Sequence, residues 1–166
     1  MYAEHYQPLL QVEEGGYGAR VLTSDGAVAK YTGSGTQTGW WTEPKGRFTV
    51  EVALTINSNG SLPIVLHGVL APIEFPAHSV ATVFFDSSGK DEGNYGYRGG
   101  PKFHATTLAG HGSLELAVHW TQQCVTTSQN AGLMVVELPV QYSFLWFHHT
   151  VMVPMGPFTL NTVPTC

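Results

Sequence analysis

The chain has 166 residues, only 11% of them charged, and a formal net charge of -5. Its length is that of one domain, large enough to bury roughly two-thirds of the surface that the unfolded chain exposes. The seven Lys and Arg residues form no cluster, which argues against binding to nucleic acid or anionic lipid. No apolar run reaches the roughly 18 residues that span a bilayer. We therefore expect one domain that binds no nucleic acid and inserts no segment of this chain into a membrane.

The first third of the chain divides into an arm and two short strands. We predict an irregular N-terminal arm over residues 1–16 and a single β-sandwich domain over residues 17–166. Strands are predicted at 17–23 and 27–32, because Ser24-Asp25-Gly26 between them is a strong turn signal.

The segment FTVEVALTINSNGSLPIVLHGVL, residues 48–70, has the clearest pattern in the chain. Phe48 to Ile56 alternate apolar and polar side chains, as in a half-buried strand. Asn and Gly at 57–61 then favour a turn. The alternation resumes at Leu62, Ile64, Leu66 and Leu70. We expect a β-hairpin with one buried face.

The second half of the sequence predicts further short strands and one long loop. The strands are expected at 79–85, from Ser113 to near Cys124, and at 133–138, 140–153 and 158–163. The loop, 86–102, is rich in Gly and shows no periodicity. Six apolar residues on the predicted inner faces should form the core: Leu54, Ile56, Leu116, Val118, Phe144 and Trp146.

The number and spacing of these strands indicate the fold class. No stretch shows helical periodicity with caps, and about eight or nine short strands are separated by turn signals. We predict an all-β, immunoglobulin-like antiparallel β-sandwich, with a jelly roll as the alternative that shares the same local signature.

The two cysteines, Cys124 and Cys166, match no zinc-ligand spacing. A disulfide between them would close a loop of about 43 residues and stabilise the fold by roughly 4 kcal/mol. It would also imply an oxidising compartment. The alternative is two unrelated thiols.

The histidines are the residues that most resemble a metal site. A His/Met copper or zinc module is suggested by His78, His148, His149, Met152 and Met155. In a strand, however, His148 and His149 point to opposite faces, and His148 and Met152 lie about 13 Å apart. His104, His111 and His119 flank one predicted turn and could form a surface cluster. We predict no metal site, with the metal-binding module as an alternative, and expect His148 and His149 near solvent at a strand end.

Catalytic motifs are missing from the sequence. It contains no GxSxG, P-loop, HExxH or EF-hand pattern. We therefore predict no enzyme activity, no catalytic residue and no cofactor.

Aromatic side chains in predicted loops are the candidates for binding. Tyr95, Tyr97 and Arg98 stand together in the Gly-rich loop, and Tyr and Arg are frequent at interaction hot spots. Trp40 and Trp41 also lie in a predicted loop, where an aromatic ring either binds a partner or caps the core. We predict the 86–102 loop as the binding surface.

Three stretches carry a resemblance to a known family: VEVALTINSNGSLPIVLHGV, FHATTLAGHGSLELAVHW running to Cys124, and LPVQYSFLWFHHTVMVP, together with the terminal Cys. Over about residues 47–166 the sequence resembles actinobacterial extracytoplasmic proteins of unknown function. Ala105 and Trp146 depart from the family's usual Pro and Gly. The resemblance implies a signal or membrane anchor upstream, an immunoglobulin-like sandwich, and pairing of the two cysteines.

The resulting functional prediction is a non-catalytic, extracytoplasmic structural or interaction domain that contacts a protein or cell-surface ligand. A viral or phage capsid-surface protein is the alternative that shares the low charge and the β pattern.

Overall fold

The computed structural model describes residues 8–12, 18–23, 25–32, 39–41, 47–72, 79–86, 99–122 and 133–162. Twelve strands and no helix occur within these ranges, so they contain no helical segment able to cross a membrane. The strands are β1 (Leu10–Val12), β2 (Gly18–Leu22), β3 (Lys30–Thr32), β4 (Gly39–Trp41), β5 (Phe48–Ser58), β6 (Ile64–Val69), β7 (Val80–Asp86), β8 (Gly99–Lys102), β9 (Thr106–Leu108), β10 (Ser113–Gln122), β11 (Leu133–Phe144) and β12 (Phe147–Thr162).

Sheet A consists of β1, β2, β5, β10, β7 and β8, and all its pairings are antiparallel. The long strand β5 pairs with β10 on one side. Its other edge is shared by β1, opposite 56–58, and β2, opposite 49–53. Strand β1 lies within the segment for which we predicted an irregular arm. That segment is too short to show a clear period, and its pairing depends on the exposed edge of β5.

Sheet B has the order β3, β4, β12, β11, β6, β9. Strands β11 and β12 form its centre. The pairing of β4 with β12 is parallel, while the remaining pairs are antiparallel.

The strand order confirms the predicted β-sandwich. In sheet A the long strands neighbour one another as β2-β5-β10-β7, and in sheet B as β12-β11-β6. Lettered A to G in chain order, these seven strands give the A-B-E-D and G-F-C sheets of an immunoglobulin-like sandwich, not the jelly-roll alternative. The additional strands pair at or near the sheet edges, which explains why the count exceeds the predicted eight or nine.

One hydrophobic core lies between the two sheets. All five inward positions of β5 from Phe48 to Ile56 are buried, as the alternation predicted. Of the six predicted core residues, Leu54, Ile56, Leu116 and Val118 are fully buried and Phe144 packs at the margin. Trp146 is a wrong prediction, because its side chain is 74% exposed.

The predicted hairpin over 48–70 is also wrong in its pairing. Both strands and the turn form where expected, but β5 belongs to sheet A and β6 to sheet B. The connection at 59–63 therefore crosses between sheets. An alternating pattern shows which face is buried, but not whether the returning strand pairs beside its predecessor or packs opposite it.

A β-bulge explains why β6 loses the predicted alternation. Leu66 pairs with Tyr142 and Gly68 with Gln141, so His67 is an extra residue in the ladder. Beyond the bulge Val69 is buried and Leu70 is exposed. The prediction that Leu62 and Leu70 continue the buried face fails.

The last two strands differ from the predicted boundaries. Pro139 does not separate two strands; it lies inside β11, opposite Met152 of β12. The chain reverses instead at Leu145 and Trp146, between the paired residues Phe144 and Phe147. The single strand predicted over 140–153 is thus the end of β11, a two-residue turn and the start of β12.

Candidate functional site

Three connections meet at one end of the sandwich, which we call the loop end: residues 59–63, 109–112 and 145–146. Ser113, the first residue of β10, pairs with Asn57 near the end of β5. Ser143 near the end of β11 pairs with Val65 near the start of β6. These pairings place the β5–β6, β9–β10 and β11–β12 connections at the same end.

Backbone hydrogen bonds join the first two connections. The His111 amide donates to the Gly60 carbonyl at 3.0 Å, and the Ser58 amide donates to the Gly112 carbonyl at 2.9 Å. Gly110 lies directly against Ser61, since a Cβ added at Gly110 would be 2.3 Å from the Ser61 carbonyl oxygen. The Asn59 amide also donates to the carbonyl of Leu9 at 2.8 Å. The loop end is therefore a surface whose backbone is held in place, or braced, by hydrogen bonds and close contacts between its connections.

The third connection is the two-residue turn at Leu145 and Trp146. Leu145 has a φ of 55°, whereas the φ of Trp146 is not positive, and this pattern matches a type II′ turn in which Gly is preferred at the first position. Holding a non-glycine residue at such a φ costs about 1–3 kcal/mol. Strained residues that persist in a structure are enriched at functional sites.

Apolar side chains project from the loop end. Trp146 is 74% exposed, Leu145 60% and Leu62 43%, and Leu9 beside Asn59 is also exposed. The ring of Trp146 contacts that of Phe147, with 5.7 Å between ring centroids. Residues 59–63, 109–112 and 145–146 include no Asp, Glu, Lys or Arg. The combination is an apolar, uncharged surface on a braced backbone.

The predicted binding residues Tyr95, Tyr97 and Arg98 lie outside the described residues. The strands on either side of that segment, β7 and β8, are described. Phe85, next to the end of β7, pairs with Leu116, and Asp86 pairs with Gly99 at the start of β8. The end of β7 and the start of β8 therefore both lie towards the loop end.

Several other predicted features are also outside the described part of the chain. Cys124 and Cys166 are among them, so their disulfide stays a prediction. Trp40 and Trp41 belong to β4, a strand and not the loop that we predicted; their side chains are not described.

The histidines are distributed over separate surfaces. The ring of His104 makes a T-shaped contact with that of Phe85, His111 lies in the 109–112 connection, and His119 is on the outer face of sheet A. They form no common cluster. Across the residues that the structure describes, no group of three or more His, Cys, Asp or Glu side chains could hold a metal ion.

On the outer face of sheet A, neighbouring strands place Arg20, Glu51 and His119 in one row. The Arg20 Nε donates to Glu51 Oε2, and His119 Nε2 lies 3.5 Å from Glu51 Oε1. Burial lowers the pKa of His119, and the Arg20 charge adds to the decrease, whereas Glu51 opposes it. With Glu51 only 6% exposed, the row satisfies a buried carboxylate and so has a clear structural role.

His148 and His149 point to opposite faces near the start of β12, as predicted. His148 is exposed on the outer face, with its ring 5.1 Å from that of His67. His149 stacks on Tyr142 at 5.1 Å, and its Nε2 is buried without a hydrogen-bond partner among the described atoms. Met152 follows His148 along the outer face of β12 and is displaced along the strand, as the strand geometry predicted. Sequence reasoning missed the approach of His67 to His148, because it depends on the order β6-β11-β12.

Comparison with known proteins finds no matching family model, no matching curated protein and no matching solved structure.

Proposed function

We propose that the chain is a non-catalytic interaction domain that binds a partner protein through the loop end. The observation that carries the proposal is the exposure of Trp146 at a strained two-residue turn. Trp is the side chain most enriched at binding hot spots, and one Trp buries about 150–250 Å² when it enters a pocket.

The surroundings of Trp146 support a protein partner with an apolar, uncharged pocket. Leu145 and Leu62 extend the apolar surface, and the loop-end connections contribute no charged side chain that would have to be desolvated. Fully buried centres of protein interfaces have this composition, apolar and depleted of charge. Leu and Trp side chains stabilise a complex by burying apolar surface, and they neither transfer protons nor act as nucleophiles. This chemistry favours binding over catalysis.

The proposed setting is extracytoplasmic. It is supported by the family resemblance over residues 47–166 and by the two cysteines available for a disulfide. Tyr95, Tyr97 and Arg98 of the 86–102 loop stay the predicted binding residues, on the sequence alone.

The test compares capture of partners by three forms of the immobilised domain: wild type, Trp146→Ala and Val80→Ala. Val80 is the matched control, an exposed apolar residue at the opposite end of β7. A specific partner should bind wild type and the Val80 variant, and lose most of its affinity for the Trp146 variant, with ΔΔG of about 2 kcal/mol or more. Equal capture by all three folded forms would refute the loop end as the interface.

A further inference from the structure

Three strands of sheet B bring a histidine, a serine and a second histidine together on its outer face. Ser143 of β11 pairs with His148 of β12. His67 comes from β6 on the other side of β11, where it is the extra residue of the β-bulge. Bulges re-aim side chains and are over-represented next to functional sites. The two imidazoles flank Ser143, which is only 6% exposed.

The hydrogen bond to Ser143 orients the ring of His67. His67 Nε2 lies 2.8 Å from Ser143 Oγ. When Nε2–H donates to this hydroxyl, Nδ1 carries the lone pair that binds a metal. Metal-ligating histidines commonly donate their second ring N–H to an oxygen acceptor, which fixes the tautomer and the ring orientation. Ser143 is placed to serve that purpose.

The separation of the two rings fits a shared metal ion. The ring centroids of His67 and His148 are 5.1 Å apart and the rings are tilted by 42°. A zinc–nitrogen bond of about 2.0–2.1 Å puts a ring centre about 3.2 Å from the ion, so two ligands at a tetrahedral angle have ring centres about 5.2 Å apart. An ordinary contact between two aromatic rings has a similar distance, and the affinity for metal distinguishes the two arrangements.

We propose that His67 and His148 bind a single divalent transition-metal ion, with Ser143 as the positioning residue for His67. Imidazole ligands select copper(II), zinc and nickel, whereas magnesium and calcium require oxygen ligands. Copper(II) should bind more tightly than zinc, following the general order of affinities. Water occupies the remaining coordination positions, so the site is open on its solvent side. The proposal is independent of the interface at the loop end.

The experiment titrates copper(II) and zinc chloride separately into the metal-free protein, with magnesium chloride as the negative control. Calorimetry should show one equivalent of bound metal with micromolar or tighter affinity. In NMR spectra, zinc should shift the ring-proton signals of His67 and His148, and copper(II), which is paramagnetic, should broaden them. His67→Gln and His148→Gln should each weaken binding by at least about tenfold, because each removes one of two protein ligands. Ser143→Ala should weaken binding by about tenfold while the stoichiometry stays at one, which a purely structural serine would not do.

The matched control is His111→Gln, which removes another exposed histidine from the loop end and should leave the affinity unchanged. All variants are first shown to unfold at the same urea concentration as wild type. Metal binding that survives both His67→Gln and His148→Gln would overturn the proposal, and so would an affinity weaker than about 0.1 mM for both metals.

Discussion

Replacing Gly110 by Ala should disrupt the contact that braces the loop end. The new Cβ would lie 2.3 Å from the carbonyl oxygen and 2.5 Å from the carbonyl carbon of Ser61. Ordinary contact begins near 3.4 Å, so the two backbones would have to separate by about 1.1 Å, which is 3.4 minus 2.3. Both atoms belong to the main chain, and no side-chain rotation relieves the clash. The hydrogen bond from the His111 amide to Gly60 would be strained as well.

The expected loss in the free energy of unfolding is about 2–4 kcal/mol: about 1–3 for overpacking and about 1 for the weakened hydrogen bond. Urea unfolding followed by circular dichroism measures it. Gly26→Ala is the control, because no atom lies within 4 Å of a Cβ added at Gly26, whereas its φ is +83°. The loss of stability in this variant therefore reports conformational strain alone. Gly110 has no such φ, and a loss below about 0.5 kcal/mol there would show that the close contact with Ser61 does not exist.

Three further predictions concern the core, the cysteines and the outer face of sheet A. Leu116→Ala should destabilise the fold by about 2–5 kcal/mol in urea unfolding, and a loss under about 0.5 would place this face in solvent. Unreduced protein should have a mass about 2 Da below the dithiol if Cys124 and Cys166 are bonded; two free thiols after oxidising expression would contradict the extracytoplasmic proposal. Burial lowers the pKa of His119 in the folded protein, so the neutral imidazole is favoured by folding. The contribution of His119 to the free energy of unfolding is therefore complete above about pH 6.5, the unfolded pKa, and is lost as the pH falls through the lower pKa of the folded state. His119→Gln should flatten that part of the pH–stability curve, and an unchanged curve would argue against the shift.

The local pattern of apolar residues is sufficient to predict which positions are buried wherever one face of a strand is uniformly apolar. The alternation from Phe48 to Ile56 predicted the five buried apolar positions of β5 correctly, because an error of one residue in the register would have exposed all five. Leu116 and Val118 of β10 follow the same rule. The turn at Asp25 and Gly26 was equally predictable: Gly26 takes the positive φ, and Asp25 Oδ1 accepts from the Ala27 amide. These features depend only on neighbours in sequence.

The errors share a different cause, since each depends on residues distant in sequence. Pro139 predicts a strand boundary, yet β11 continues through it. The Pro139 carbonyl accepts a hydrogen bond from the amide of Leu70, which follows β6. The reversal at Leu145 and Trp146 contains neither Gly nor Asn, so no turn signal marked it. The apolar side chain of Trp146 predicts burial, but the residue lies in this turn and is exposed.

Two rows of polar side chains show how strand order creates chemistry that sequence spacing conceals. Arg20, Glu51 and His119 are brought together by the order β2-β5-β10, and His67 meets His148 across β11. The first row encloses a buried carboxylate between a guanidinium and an imidazole, so its charges satisfy one another. The second row has no carboxylate among its members, and its buried hydroxyl is bonded to one imidazole while the other faces solvent. A row whose opposite charges pair with one another stabilises the sheet. A row whose imidazole nitrogens are available as ligands can bind a cation. That difference is why we assign a structural role to sheet A's row and a binding role to sheet B's.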